Sequence, residues 1–151
     1  MARDFDLKDF TPYLLAIAAE EASLAFQSAY KARYGMLRTE WRVLFHLGRA
    51  GALTARDICD RARLHKTKVS RAVAALEAKR FLARRRRDDD RRHEELRLTK
   101  AGEAAFRALY EEARQFDDGF MGRFSAEERR VLRRCLSRIA GLADEDARDK
   151  A

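Results

Sequence analysis

Residues 66 to 71 read Lys66-Thr67-Lys68-Val69-Ser70-Arg71, and the apolar positions Val69, Val73 and Leu76 recur at spacings of four and three. On a helix that spacing buries Val69, Val73 and Leu76 on one face. The opposite face then carries Lys66, Thr67, Lys68, Ser70 and Arg71, cations and hydroxyls that suit phosphate oxygens and base edges. Arginine can hold guanine through two hydrogen bonds, a contact worth roughly 1–3 kcal/mol of discrimination. The expectation is that Thr67, Ser70 and Arg71 reach bases and that Lys66 and Lys68 reach phosphates; the bland alternative is a solvated helix face. A second concentration follows at Asp90-Arg91-Arg92-His93. Adjacent arginines at a turn fit a narrow minor groove, where the negative potential is deepest. Asp90 is too acidic to touch DNA itself. Arg56 and Arg38 could also reach phosphates, or be free surface charges.

The charge is sorted along the chain in a way that supports this. The 151 residues carry 33 Lys+Arg and 25 Asp+Glu, a net +8. Residues 1–30 are net −3, residues 98–151 are neutral, and residues 31–97 hold 20 basic against 9 acidic side chains. A middle segment that faces phosphates explains the sorting; a basic solubilising surface is the competing explanation. Catalysis finds little to work with. There is no Gly-rich phosphate loop, Ser/His/Asp set or isolated carboxylate pair, so an enzyme is not expected, nor a cofactor. Cys59 and Cys135 stand far apart and the three histidines fall on different elements, which gives no metal-ligand spacing. Both cysteines are expected to be packed. No apolar run is long enough to span a membrane and the start, MARDFDLKDF, lacks a signal-peptide core. The expectation is a soluble, cytoplasmic protein.

The elements that must position these residues read as helices with one short β interruption. Thr11-Pro12 suggests an N-cap with proline at the first helical position, opening a helix to about Arg33. Thr39 starts a second helix that closes at Gly48 to Gly51. Thr54 and Asp57 have capping-box spacing for a short helix, Ala55–Arg63, and Leu64-His65 separates it from Lys66–Lys79. Phe81–Arg86 and Glu95–Thr99 flank the charged run as a hairpin, in which alternation lets only two of Arg84–Arg87 approach a DNA backbone. A helix from Lys100 to Gly122 follows, with Ala101, Ala105, Leu109 and Phe116 inward. Ser125 and Glu128 cap a last helix striped by Leu132, Cys135/Leu136, Ile139 and Leu142.

Short helix, tight turn, basic helix and hairpin make a winged helix-turn-helix. Here the sequence resembles the MarR family of transcription regulators, over about residues 10–143. The matching stretches are Thr39-Glu-Trp-Arg-Val-Leu44, Leu53-Thr-Ala-Arg-Asp-Ile-Cys59, Lys66-Thr-Lys-Val-Ser-Arg-Ala-Val73 with Leu76-Glu77, and Asp90-Arg-Arg92 leading to Leu96-Arg-Leu-Thr99-Lys-Ala-Gly102. The resemblance implies a homodimer that reads a palindromic site on double-stranded DNA, with Asp90 supporting the wing and Arg92 entering the minor groove. It also implies a cleft for small aromatic acids, for which Tyr13, Trp41, Phe45 and His46 are candidates, although aromatics at this spacing equally serve as core. Arg80 stands where the family often has glycine, so the turn into the wing must be made without glycine's access to positive φ.

The reading is therefore a mainly α fold: a winged helix-turn-helix with N- and C-terminal dimerisation helices and a short β-hairpin wing. It places one MarR-type domain over 1–151, with dimerisation helices at 10–34 and 125–145. The core is 39–99, with the wing at about 82–99, and a connecting helix covers 100–122. Apolar stripes on the first and last helices exceed what the central module can cover, so they pair with a second copy; a six-helix monomer is the alternative. The functional expectation is a dimeric, sequence-specific DNA-binding regulator, a repressor relieved by a small-molecule effector. Its Arg56, Lys66, Thr67, Lys68, Ser70, Arg71, Arg91, Arg92 and His93 would meet DNA. The competing class is a winged-helix assembly module, which calls for an apolar or acidic recognition face.

Overall fold

The computed structural model describes residues 4–86, 89 and 94–142. After a short 3₁₀ turn at Leu7–Asp9, α1 runs over Thr11–Tyr34 and α2 over Arg38–Ala50. Strand β1 (Ala52–Leu53), α3 (Ala55–Ala62) and α4 (Lys66–Ala78) follow, then β2 (Leu82–Arg86), β3 (Glu94–Leu98), α5 (Lys100–Met121) and α6 (Ala126–Ala140). The chain forms two compact units, which divide between Ala113 and Arg114 within α5.

The first unit holds the winged helix-turn-helix. Its core is built where helical and strand periodicities converge: Val43, Leu44 and Leu47 of α2, Ile58 of α3, Val69, Val73 and Leu76 of α4, and Leu53, Leu82 and Leu96 of the strands. The strands form one antiparallel sheet in the order β1-β3-β2, with Leu53 opposite Leu96 and Leu82 opposite Leu98. Two-residue β1 was not expected from the sequence, because two residues are too few to show alternation. Along the 24-residue α1 only Tyr30 is buried; Tyr13, Leu14, Ile17 and Leu24 are exposed.

In the second unit, Ser125 caps α6 through a reciprocal pair: its Oγ accepts from the Glu128 N–H at 3.1 Å and its own N–H donates to the Glu128 carboxylate at 2.8 Å. Phe116 and Phe120 stack at 5.6 Å, and Arg133 bonds Asp117 at 2.6 Å. Helix α6 buries nothing, and Leu136, Ile139 and Leu142 lie exposed.

Several local expectations need correcting. Phe10, not Thr11, holds the cap position of α1, and it offers no side-chain cap. Helix α2 begins one residue early, at Arg38, because the Glu40 carboxylate accepts the Leu37 N–H at 2.8 Å. Ala101 faces outward, and Gly102 takes the buried position beside it. Cys135 is exposed, since α6 has no buried face in this chain; Cys59 is half-buried at the edge of the core.

Candidate nucleic-acid interface

Helix α4, which carries the cations Lys66, Lys68 and Arg71, is approached through a series of capped helix ends. Before it, the Thr54 Oγ1 accepts from the Asp57 N–H at 3.1 Å and the Asp57 carboxylate takes the Thr54 N–H at 2.9 Å, the expected capping box of α3. At the other end of α3, Arg63 adopts φ 50, and the Arg42 guanidinium of α2 donates to the carbonyl of Ala62, one of the orphan acceptors of a helix end. His65 then serves as the N-cap of α4: its Nδ1 accepts from the Thr67 N–H at 3.3 Å.

With Val69, Ala72, Val73 and Leu76 buried, Lys66, Thr67, Lys68, Ser70 and Arg71 are all exposed. They share the outer face with Arg56, exposed on α3. Among the described residues no carboxylate lies within ion-pair distance of Arg56, Lys66, Lys68 or Arg71. Unpaired cations beside hydroxyls, at the positive end of a helix dipole, make a surface prepared for anions. Between α3, α4 and β2 this face dips into a cavity of about 410 Å³, with Arg56, Lys66, Ser70 and Arg84 at its walls and Cys59 and Val73 deeper.

Arg84 behaves differently from the α4 cations. Its Nε donates to Glu77 of α4 at 2.9 Å and its Nη1 to Glu94 of β3 at 3.3 Å. Burial works against its charge, but Glu94 and Glu77 outweigh it and raise its pKa above the usual arginine value. It braces the wing on the recognition helix. Arg86 lies 4.0 Å from Glu94, and Arg97 pairs with Glu95 at 3.5 Å. Asp90, Arg91, Arg92 and His93, the expected wing tip, lie outside the described residues.

The turn between α4 and the wing explains the Thr99…Gly102 part of the motif. Arg80 takes φ 61, so the non-glycine residue itself adopts the left-handed conformation. Thr99 secures it: its Oγ1 donates to the Arg80 carbonyl at 2.7 Å and accepts from the Gly102 N–H at 3.1 Å, while the Thr99 N–H donates to Phe81 at 3.0 Å. A Cβ on Gly102 would stand 1.9 Å from the Phe81 carbonyl oxygen, so only glycine fits there.

The aromatic candidates for a cleft divide. Trp41 stacks on Tyr30 at 6.2 Å and meets Phe26 at 5.4 Å and Phe45 at 5.2 Å; Phe45 in turn meets His46, Phe106 and Tyr110. Burial, with help from Arg42 and Arg61, lowers the His46 pKa, so the ring is neutral at neutral pH. Trp41, Phe45 and His46 are thus brought together, packed against other rings. Tyr13 stands apart from them: it is 13 positions before Phe26 on the same helix, about 20 Å along the axis, on the exposed stripe. Arg38 is engaged by Glu20 at 3.2 Å, an ion pair that raises its pKa.

Sequence reasoning missed Glu40, which is only 3% exposed. One carboxylate oxygen accepts from the Leu37 N–H and the other from the Lys79 ammonium at 3.2 Å. An acidic residue in a first helical turn reads as a solvated partner of the dipole, and nothing near it in sequence hints at Lys79.

Comparison with known proteins agrees with the winged-helix fold. Residues 34–93 match the MarR family. A Bacillus subtilis (strain 168) protein, described as the uncharacterized HTH-type transcriptional regulator YdgJ, is 27% identical over 83% of this chain and 82% of its own length. The MarR family transcriptional regulator SPO1453 of Silicibacter pomeroyi DSS-3 superposes with a TM-score of 0.75 at 27% identity, over 90% of this chain and 99% of that one. The fold is also that of Bordetella bronchiseptica BpsR, whose DNA binding is regulated by 6-hydroxynicotinic acid. That match has a TM-score of 0.82 at 21% identity, over 91% of this chain and 98% of BpsR.

Proposed function

We propose that this chain, a MarR-family transcriptional regulator with a DNA-binding winged helix, works in the cytoplasm as a homodimeric repressor that grips a palindromic operator and releases it to a small-molecule effector. The observation that carries this reading is the outer face of α4. Lys66, Lys68 and Arg71 stand exposed beside Thr67 and Ser70, with no acidic partner among the described residues. An assembly surface would be apolar or acidic; this one matches a polyanion.

In this reading Thr67, Ser70 and Arg71 address base edges from the first turns of α4, and Arg56, Lys66 and Lys68 hold phosphates. Arg92 enters the adjacent minor groove and Asp90 supports the wing, as the family resemblance implies, and Arg91 and His93 join Arg92 there because they are its neighbours. The second copy is supported by apolar side chains left in water. Burying a leucine or isoleucine is worth roughly 1.5–3 kcal/mol. Leu14, Ile17 and Leu24 of α1, Leu136 and Ile139 of α6, and Leu142 just after it forgo that in the single chain. A two-fold pair sets two recognition helices about 34 Å apart, one turn of DNA. For the effector, the Trp41–Phe45–His46 cluster beside α1 is the proposed location. An aromatic acid is the proposed class, supported by the regulation of BpsR by 6-hydroxynicotinic acid.

The test begins by selecting a duplex from random DNA with the purified protein and measuring anisotropy against salt. A steep fall in affinity is expected as phosphates exchange protein cations for counterions. A flat response would sink the reading. Arg92→Ala should weaken binding at least about tenfold with the dimer intact, since a well-placed arginine is worth roughly 1–3 kcal/mol. A panel of aromatic acids, 6-hydroxynicotinic acid included, then tests release of the selected duplex.

A further inference from the structure

Glu40 is the one charged residue buried among those described, and its placement is unusual. It sits in the first turn of α2, directly after the Gly35–Leu37 link from α1. Two contacts lock that end of α2 to α1: Arg38 pairs with Glu20, and Trp41 stacks on Tyr30. The Glu40 carboxylate then reaches across to Lys79, the C-cap residue of α4. The next residue, Arg80, is the left-handed turn that Thr99 fixes to the wing. An ion pair buried on its Glu40 side therefore joins the first turn of α2, itself tied to α1, to the point where α4 and the wing meet.

Apart from Glu40, the buried residues that α2 and α4 contribute to the core are apolar, Leu44, Leu47 and Leu76 among them. Apolar burial is strong but has no direction, so two helices can slide or rotate by a few degrees with little loss. An ion pair with both carboxylate oxygens engaged has one good geometry, and fixing register is the best-attested use of buried charge. We propose that Glu40 and Lys79 are positioning residues for DNA recognition: they set the angle of the reading head against α1, and so the operator half-site spacing that the dimer accepts. This rests on the dimeric DNA-binding reading above.

The experiment compares the selected operator duplex with one carrying a single base pair inserted between its half-sites, which rotates and displaces one half-site by one step of the double helix. The wild-type protein should prefer the selected spacing by at least about tenfold, because both heads must engage at once. In Glu40→Gln the amide oxygen can still accept the Leu37 N–H, but the charge facing Lys79 is gone. Lys79 keeps 30% exposure and recovers water, so the fold is retained. The preference should fall to within about threefold. A structural role alone would lose stability without changing spacing preference, so Glu40→Gln combined with Lys79→Met is the decisive variant. Removing both charges leaves no unpaired buried ion and should restore thermal stability, yet the relaxed preference should persist. Wild-type selectivity in Glu40→Gln, or its return in the double variant, would overturn the proposal. A wild-type protein indifferent to the insertion would instead remove the dimeric reading on which the proposal stands.

Discussion

Two groups of cations sit within one small module and do opposite things. On α4, Lys66, Lys68 and Arg71 face outward with no carboxylate in reach among the described residues. On the wing strands, Arg84 is held by Glu77 and Glu94, Arg97 by Glu95, and Arg86 lies within 4.0 Å of Glu94. Both groups add equally to the net charge of the middle segment. Only the first is free to exchange water for phosphate at little cost; the second would first have to give up its glutamates. Charge counting singles out a module, and pairing shows which of its cations are left open to an anion.

Substitution separates the groups. Arg71→Ala should cause the largest loss, between about fivefold and 150-fold in affinity for the selected duplex, with relaxed preference at one base position. Lys66→Ala and Lys68→Ala should each cost less at physiological salt but reduce the slope of log affinity against log salt by about 1, the signature of a lost phosphate contact. Arg84→Met should lower affinity only a few-fold, by loosening the wing, and leave that slope unchanged. If the Arg84 variant loses a full unit of slope, its guanidinium is on the phosphates and the contrast between the two groups is gone.

The α4 group was legible in the sequence because one helical period fixes both faces: once Val69, Val73 and Leu76 are inward, Lys66, Ser70 and Arg71 must be outward. The capping boxes at Thr54 and Ser125 were legible for a similar reason, since both partners lie three residues apart. What the sequence did not show depends on pairs distant along the chain. Alternation in β2 shows that Arg84 and Arg85 face opposite ways, but not that Glu77 and Glu94 wait on the Arg84 side. Glu40 and Lys79, 39 positions apart, escape for the same reason. The Arg80 turn illustrates a third kind of limit. The missing glycine was visible, and the expectation was a turn that avoids positive φ. The chain instead accepts φ 61 in an arginine and holds it with the Thr99 hydroxyl. Tyr13 was grouped with Trp41 by residue type, and the length of α1 separates them.

The smallest expected effect concerns His46, which marks how the aromatic cluster differs from both cationic groups. Here burial, Arg42 and Arg61 all disfavour a positive ring, so the folded-state pKa lies below the ordinary histidine value of about 6.5. As pH falls through that value the unfolded chain takes up the proton first, and protonation pulls the equilibrium towards unfolding. Stability contributed by neutral His46 is therefore complete above about pH 6.5 and is lost as the pH drops towards the folded-state pKa. Melting temperatures measured from pH 7.5 down to 5.5 should fall more steeply for the wild type than for His46→Gln, which cannot titrate. The carboxylates and other histidines are common to both proteins, so the difference between the two curves isolates this ring. Parallel curves would mean that His46 is not held neutral by its surroundings. A variant that falls more steeply than the wild type would mean that the ring gains, rather than loses, from being charged beside Arg42 and Arg61.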